Sequence, residues 1–524
     1  MRRWLLAAVL LSASCASVPI KKADAVALAD ADARIREGCY DCLIDARDTY
    51  ARVAVGKARP LVITRLFEAE VLLSLREKEL ALESSESIGR ARALAKELPE
   101  GIDGSRYLAI AEAVQPDATG STDKEVSAFQ AAHQSVAAHV EDDLAWLVTG
   151  PLSEPVRQYL ALSLDCGYLF RPVPRPQGAP PGPPLPSRRL DPARTAPEGA
   201  PPLVVYRAAL CGGLAGKPFQ LVRAEVPRFV ETSYFLGRIG YLEALAKGPG
   251  QVRPLLTEAY TRFPASPAVT YIAGSFYQVI GDCQSALRYY DETLAVKAAH
   301  ERALLGRTVC LTFLKRPEDA IAAATQMIGA SIYLSEAFYW RAMNRHALQQ
   351  LELARSDSDR AKGLARSGAI LQLAGLIELD QNDLDPAEAD FKSARALRGG
   401  DRDCVTIFSL GLVYIKRERW PPSADQFAEA MACYEKNVAG DETQIIGIRA
   451  RTDLDAEYQA NQIAGFEKSI KEDRSQQYAS AFNAAANYTR AGNYAKAKVL
   501  VEIAATDPAL ADKVKELRAI LKDR

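Results

Sequence analysis

Apolar residues in this chain recur at offsets of three and four, in runs several helical turns long, with polar or glycine-bearing breaks between runs. "RLFEAEVLLSLREKELAL" and "DDLAWLVTGPLSEPVRQYLALSL" are two such runs, and Leu43, Ala46 and Tyr50 mark another apolar face. The spacing predicts irregular helices over residues 25–170 and a further irregular helical connector over 203–232. Twelve prolines between Pro172 and Pro202 forbid helix and strand alike, so 171–202 reads as an extended linker rather than a polyproline ligand.

From residue 233 onward the pattern repeats with a period near 34. In "SPAVTYIAGSFYQVIGDCQSALRYYDETLAV", counted from Pro267, Gly274 is eighth, Tyr277 eleventh, Gly281 fifteenth, Ala286 twentieth and Tyr290 twenty-fourth. Starts at 301, 335, 368 and 404 put Thr308, Ala342, Gly375 and Gly411 at the eighth position. They put Ala320, Ala354, Ala387 and Ser423 at the twentieth. A copy from 233 supplies Gly240 and Pro264, and one from 478 supplies Ala485, Tyr488, Gly492, Ala497, Ala504 and Pro508. This register resembles the tetratricopeptide repeat (TPR), two antiparallel helices whose small residues allow close approach while Tyr290 or Phe391 fills the gap beyond.

The resemblance implies an all-α, TPR-type α-solenoid of antiparallel helix pairs over 233–508, sealed by a C-terminal capping helix over 509–524. Leu510, Val514, Leu517 and Leu521 form the apolar stripe of that cap. Three departures stand out. Thr308 is large for its position, two prolines in "RERWPPSADQF" look inserted between helices, and residues 438–477 read as a degenerate repeat.

The leader "MRRWLLAAVLLSASCAS" has two arginines, a short apolar run and then small residues, the layout of a secretory signal over 1–16. Cys15 resembles the lipidated cysteine of bacterial lipoproteins, although Ser12 stands where that motif usually has leucine. Cleavage after Ala16 is the other route. The expectation is an exported protein of the periplasm or outer membrane, anchored by lipid at Cys15, similar to TPR lipoproteins of bacterial envelopes.

An oxidising compartment gives the other eight cysteines reason to pair. Cys404 and Cys433, the first and thirtieth positions of one repeat, should meet at one end of an antiparallel pair. Cys283 with Cys310, and Cys166 with Cys211 across the proline-rich stretch, are further candidates. Cys39 and Cys42 form a C-x-x-C in "REGCYDC", which resembles the turn into the second helix of an N-terminal, TPR-like repeat and reads as a structural pair; a thiol-redox or other enzyme built on this region is the alternative.

Lys and Arg number 65 against 66 Asp and Glu, so no bulk field favours nucleic acid. His133 and His139 lie six apart, the wrong interval to share a helix face, and neither a metal site nor a catalytic motif is recognised. No cofactor, no catalytic residue and no reaction are assigned.

The resemblance implies a scaffold for a protein or peptide partner. In a TPR solenoid the first helices line the concave face, and their fifth positions here are Tyr271, Leu305, Gln372, Phe408 and Phe482. Ser275, Gln278, Thr312, Lys416, Thr489 and Arg490 occupy neighbouring groove positions. An apolar stripe with a polar rim is expected, with Phe408 and Phe482 as anchors whose truncation would weaken binding and spare stability.

Overall fold

The computed structural model describes residues 20–82, 86–114, 140–167, 199–214, 252–397 and 403–524, with Thr122, Lys124, Phe229 and Gly250 as single positions. Every regular element among them is a helix. Cys15 and its leader, residues 171–198, His133 and His139, and the first helix of the repeat starting at 233 lie outside the described residues. So do the side chains of Cys166 and Cys211. Two compact units divide the chain, Met1–Phe235 and Leu236–Arg524.

The N-terminal unit begins with an antiparallel pair, α1 (Lys22–Glu37) and α2 (Tyr40–Val53). Gly38 turns the chain between them in the left-handed conformation, at φ 75°. Cys39 and Cys42 are disulfide-bonded in the first turn of α2, and Cys39 Sγ accepts from the Cys42 N–H at 3.1 Å. α3 (Arg59–Glu79) follows, then α4 (Glu86–Ala95), α5 (Gly104–Ala113), α6 (Val140–Thr149), α7 (Glu154–Gly167) and α8 (Pro202–Leu214).

α3 is buried along nearly its whole length, and that includes four glutamates. A buried carboxylate needs partners to offset its lost hydration. Glu68 accepts from the backbone N–H and the hydroxyl of Ser153, Glu70 from Arg90 and Glu77 from the Ser87 hydroxyl. Glu79 receives Arg76, Arg207 and, at 2.5 Å, the Tyr159 hydroxyl. The helix is the polar axis of an otherwise apolar core that includes Leu43, Phe67, Leu72, Tyr107 and Leu160.

In the C-terminal unit, α9 (Val252–Arg262) precedes six helix pairs. They are α10 (Pro267–Val279) with α11 (Cys283–Val296), α12 (Glu301–Phe313) with α13 (Pro317–Gly329), and α14 (Leu334–Ala347) with α15 (Leu351–Leu364). Next come α16 (Gly368–Asp380) with α17 (Leu384–Leu397), α18 (Cys404–Lys416) with α19 (Trp420–Ala450), and α20 (Ala456–Arg490) with α21 (Tyr494–Ala504). α22 (Ala511–Lys522) closes the array by burying Val514, Leu517 and Leu521 against Leu500, Val501 and Ala504.

The turn inside every pair is built the same way. The fifteenth residue is left-handed in all six: Gly281, Lys315, Gln349, Asn382, Glu418 and Gly492, with φ between 55° and 85°. The next N–H returns to the carbonyl of the eleventh residue, from Asp282 to Tyr277 at 2.9 Å through Asn493 to Tyr488 at 2.8 Å. This bond satisfies a carbonyl the helix end would leave open.

Packing within a pair follows a reciprocal size rule between the eighth and twenty-fourth positions. Where the eighth residue is glycine the twenty-fourth is a ring: Gly274 with Tyr290, Gly375 with Phe391, Gly411 with Phe427. Where the eighth is larger the twenty-fourth shrinks: Thr308 with Ala324, Ala342 with Ser358, Ala485 with Val501, all buried. The size of Thr308 is thereby accommodated. In the α14–α15 pair, whose twenty-fourth residue is the small Ser358, Asp357 is 3% exposed and takes two bonds from Arg341 (2.8 and 2.7 Å) and one from Arg345 (2.7 Å).

Two sequence expectations need correction. The prolines Pro421 and Pro422 lie inside the first turn of α19, where a missing N–H costs nothing. Residues 438–477 are no degenerate repeat: α19 runs on to Ala450 and α20 starts early at Ala456, so the extensions pair as a two-helix arm. Val438, Ile445 and Ile470 are its buried centre, with Ile463 and Phe466 against them.

Candidate functional site

First helices of successive repeats touch one another directly, α10 on α12, α12 on α14, α14 on α16 and α16 on α18, whereas the second helices make no comparable contact. The array therefore curves toward its first helices. Their residues line the inner face.

Three rows run along that face. The fifth positions, Tyr271, Leu305, Tyr339, Gln372, Phe408 and Phe482, are half-buried in every repeat. The ninth positions, Ser275, Val309, Met343, Leu376, Leu412 and Ala486, are half-buried too. The thirteenth, Val279, Phe313, Ala347, Asp380, Lys416 and Arg490, are exposed in all six. This last row changes from apolar to charged along the array, and Phe313 is 67% exposed.

That sixfold register, with its glycine–ring pairs and its common turn, decides the fold. The C-terminal unit is a TPR solenoid. Among solved structures the chain is similar to a tetratricopeptide repeat protein from Parabacteroides merdae, at 18% identity over 56% of this chain and 99% of that one, with a TM-score of 0.34. It is also similar to PilF of Pseudomonas aeruginosa (16% identity, 39% and 94% of the two chains, TM-score 0.35). A third is YrrB, described as a TPR protein with an unusual peptide-binding site (17% identity, 34% and 91%, TM-score 0.30). No protein-family model and no curated protein matches.

Several groove residues of the TPR solenoid also hold it together. Tyr271 lies 5.0 Å from the His300 ring and 6.2 Å from that of Tyr290. Gln278 accepts the Tyr290 hydroxyl at 2.5 Å. Gln372 reaches the start of α18, donating to Asp403 at 2.7 Å and Thr406 at 3.0 Å. Asn344 donates to Thr312 (2.8 Å), His346 meets Asp380 (2.7 Å) and Lys416 donates to Asn382 (3.2 Å), each link joining neighbouring repeats. Thr489 bonds back to the Ala485 carbonyl at 2.8 Å, and the Arg490 guanidinium lies 4.8 Å from the centre of the Trp420 ring. Ser275 and Leu305 stay half-buried between helices.

Phe408 and Phe482 are not free anchors. Phe408 packs edge-to-face on Phe427 with centroids 5.0 Å apart, and both rings lean on the cluster that includes Ala424, Tyr488 and Val501. Truncating either one must cost stability, contrary to the sequence expectation. Tyr339 and Phe313 went unnamed in the sequence reading, although Leu305 plus one 34-residue step lands on Tyr339 and Phe313 is the thirteenth position of its repeat.

The cysteines divide. Cys404 and Cys433 are disulfide-bonded, Cα atoms 5.5 Å apart, joining the start of α18 to α19. Cys283 and Cys310 are buried neighbours with both thiols free, which corrects the expected bridge. Burial first, then the hydrogen bond with Cys283, pushes the Cys310 thiol well above its ordinary range, which disfavours its thiolate. Cys39 and Cys42 are each 5% exposed, a setting that shields their sulfurs from thiol exchange.

In the N-terminal unit a cleft of about 340 Å³ is lined by Asp32, Arg36, Tyr50, Arg65 and Glu68 among others. Burial raises the Glu68 carboxyl, opposed by the Ser153 bonds that make it a cap for α7. Tyr50 donates to Asp32 at 2.7 Å. Arg65 pairs with the same Asp32 at 3.1 Å, so Tyr50, Asp32 and Arg65 are committed to one another. Among the described residues no cluster of three or more His, Cys, Asp or Glu could hold a metal ion, and no helix is long and apolar enough to cross a membrane.

Proposed function

We propose that this chain is an exported scaffold of the bacterial cell envelope, anchored by lipid at Cys15, which binds a peptide segment of a protein partner along the inner face of its solenoid. One observation carries the binding reading: an apolar row exposed at Val279, Phe313 and Ala347 and flanked by half-buried Leu305, Val309, Tyr339 and Met343. An exposed phenylalanine beside such a stripe is characteristic of a recognition surface. The reading assigns binding and no reaction. Support for export and anchoring is the leader "MRRWLLAAVLLSASCAS" alone.

The test uses Phe313→Ala, which removes a solvent-facing ring. Partner cross-linking from the native envelope should fall roughly tenfold or more, as truncation of a binding anchor does, while the thermal midpoint stays unchanged. Undiminished capture would move the partner off this face. For the anchor, Cys15→Ala should abolish palmitate labelling and release the protein into the soluble fraction, and retention in the membrane with unchanged processing would refute it.

A further inference from the structure

The arm formed by the extensions of α19 and α20 lies outside the first-helix face and needs its own explanation. Its two helices carry related stretches, Glu442-Thr-Gln-Ile445-Ile446-Gly-Ile-Arg449 and Glu467-Lys-Ser-Ile470-Lys471-Glu-Asp-Arg474. In each, the first, fourth, fifth and eighth residues share one helix face. Both faces line one cleft of about 730 Å³.

Charge on this face is ordered. Glu442 pairs with Arg474 at one end, and Arg449 with Glu467 at 3.3 Å at the other. All four side chains keep 48–61% of their surface exposed, so each can take another partner. Ile445 and Ile470 are buried at the floor, while Ile446 is 68% exposed at the centre.

The pattern is its own complement. Turn a second α19 end for end over the first and Glu442 falls on Arg449, Ile446 falls beside its counterpart, and Arg449 falls on Glu442. α20 obeys the same rule at its ends, Glu467 on Arg474, while its central Lys471 falls beside its own counterpart. A two-fold contact demands such self-complementarity, since residue i must meet j while j meets i.

We propose that two copies of this chain associate through the arms, face to face and antiparallel, as a four-helix contact centred on Ile446. The exposed isoleucines supply the apolar centre. The four charge pairs fix register and exclude the parallel arrangement, which would set Glu442 on Glu442.

Sedimentation of the full chain tests this. Wild type should form a dimer in the micromolar range that dissociates as salt rises. Glu442→Arg alone and Arg449→Glu alone should each be monomeric, because each opposes like charges across the two-fold. Mixed in equal amounts, the two variants should pair with each other. Ile446→Glu, at an exposed position that the fold does not use, should also be monomeric with unchanged helicity. A wild type that stays monomeric, or folded charge variants that do not pair on mixing, would overturn the proposal. Neither outcome bears on peptide binding at Phe313.

Discussion

A Cβ built on Gly375 falls 2.7 Å from Cε1 of Phe391, closer than real side-chain contacts come. The ring occupies the place where a side chain at the eighth position would be. Gly375→Ala should therefore destabilise the solenoid, since overpacking costs about 1–3 kcal/mol against about 1 kcal/mol gained in helix propensity. In a Phe391→Leu background the same change should become neutral or favourable. Urea titrations of the four proteins form a double-mutant cycle, and additivity would disprove the size rule.

The left-handed turns predict a gain. An L-residue there is strained by about 1–2 kcal/mol, of which glycine's greater unfolded-state entropy takes back about 0.5–1. Lys315 and Glu418 hold φ of 57° and 55°. Lys315→Gly and Glu418→Gly should each raise the thermal midpoint, by up to about 1 kcal/mol in stability. A fall in both would mean that these turns are not strained.

The Cys404–Cys433 bridge closes a loop over a sequence separation of 29. A loop of that length restricts the unfolded chain by about 3–4 kcal/mol. Replacing both cysteines by alanine should lower stability by that order, and reductant should do the same to wild type. Non-reducing peptide mapping should recover the 404–433 pair and find Cys283 and Cys310 alkylated only after unfolding. A bridge between the latter two would contradict the structure.

Lys78 makes a pH-dependent contribution. It donates to the carbonyls of Ala111 (2.8 Å), Glu112 (3.2 Å) and Val114 (3.4 Å) at the end of α5. Burial lowers its ammonium from 10.5 to about 8, with Glu112 opposing. Between those values the unfolded chain holds the proton and the folded chain has released it, so stability rises with pH across that window. The unfolding free energy of wild type minus that of Lys78→Met should grow between about pH 8 and about pH 10. A flat or falling difference would show that this ammonium is not desolvated.

The sequence by itself determined the helix pairs and their register. Period and small-residue spacing are local and repeat six times, so Gly274, Gly375 and Gly411 announced their places, as did the antiparallel ends that bring Cys404 to Cys433. Phe313 was legible in principle, because the thirteenth position faces out in every repeat. Tertiary structure alone decided the rest. Whether Phe408 binds a ligand or packs on Phe427 depends on a neighbour in another helix, and the same holds for the thiol environment of Cys310. The arm shows the reason most clearly. Nothing between Val438 and Ala450 stops a helix, so the pattern alone suits either a poor repeat or a continued helix. The choice was made by α20, whose early start gives Val438 and Ile445 an apolar surface to bury, and burial against a partner, not local propensity, supplies most of a helix's stability.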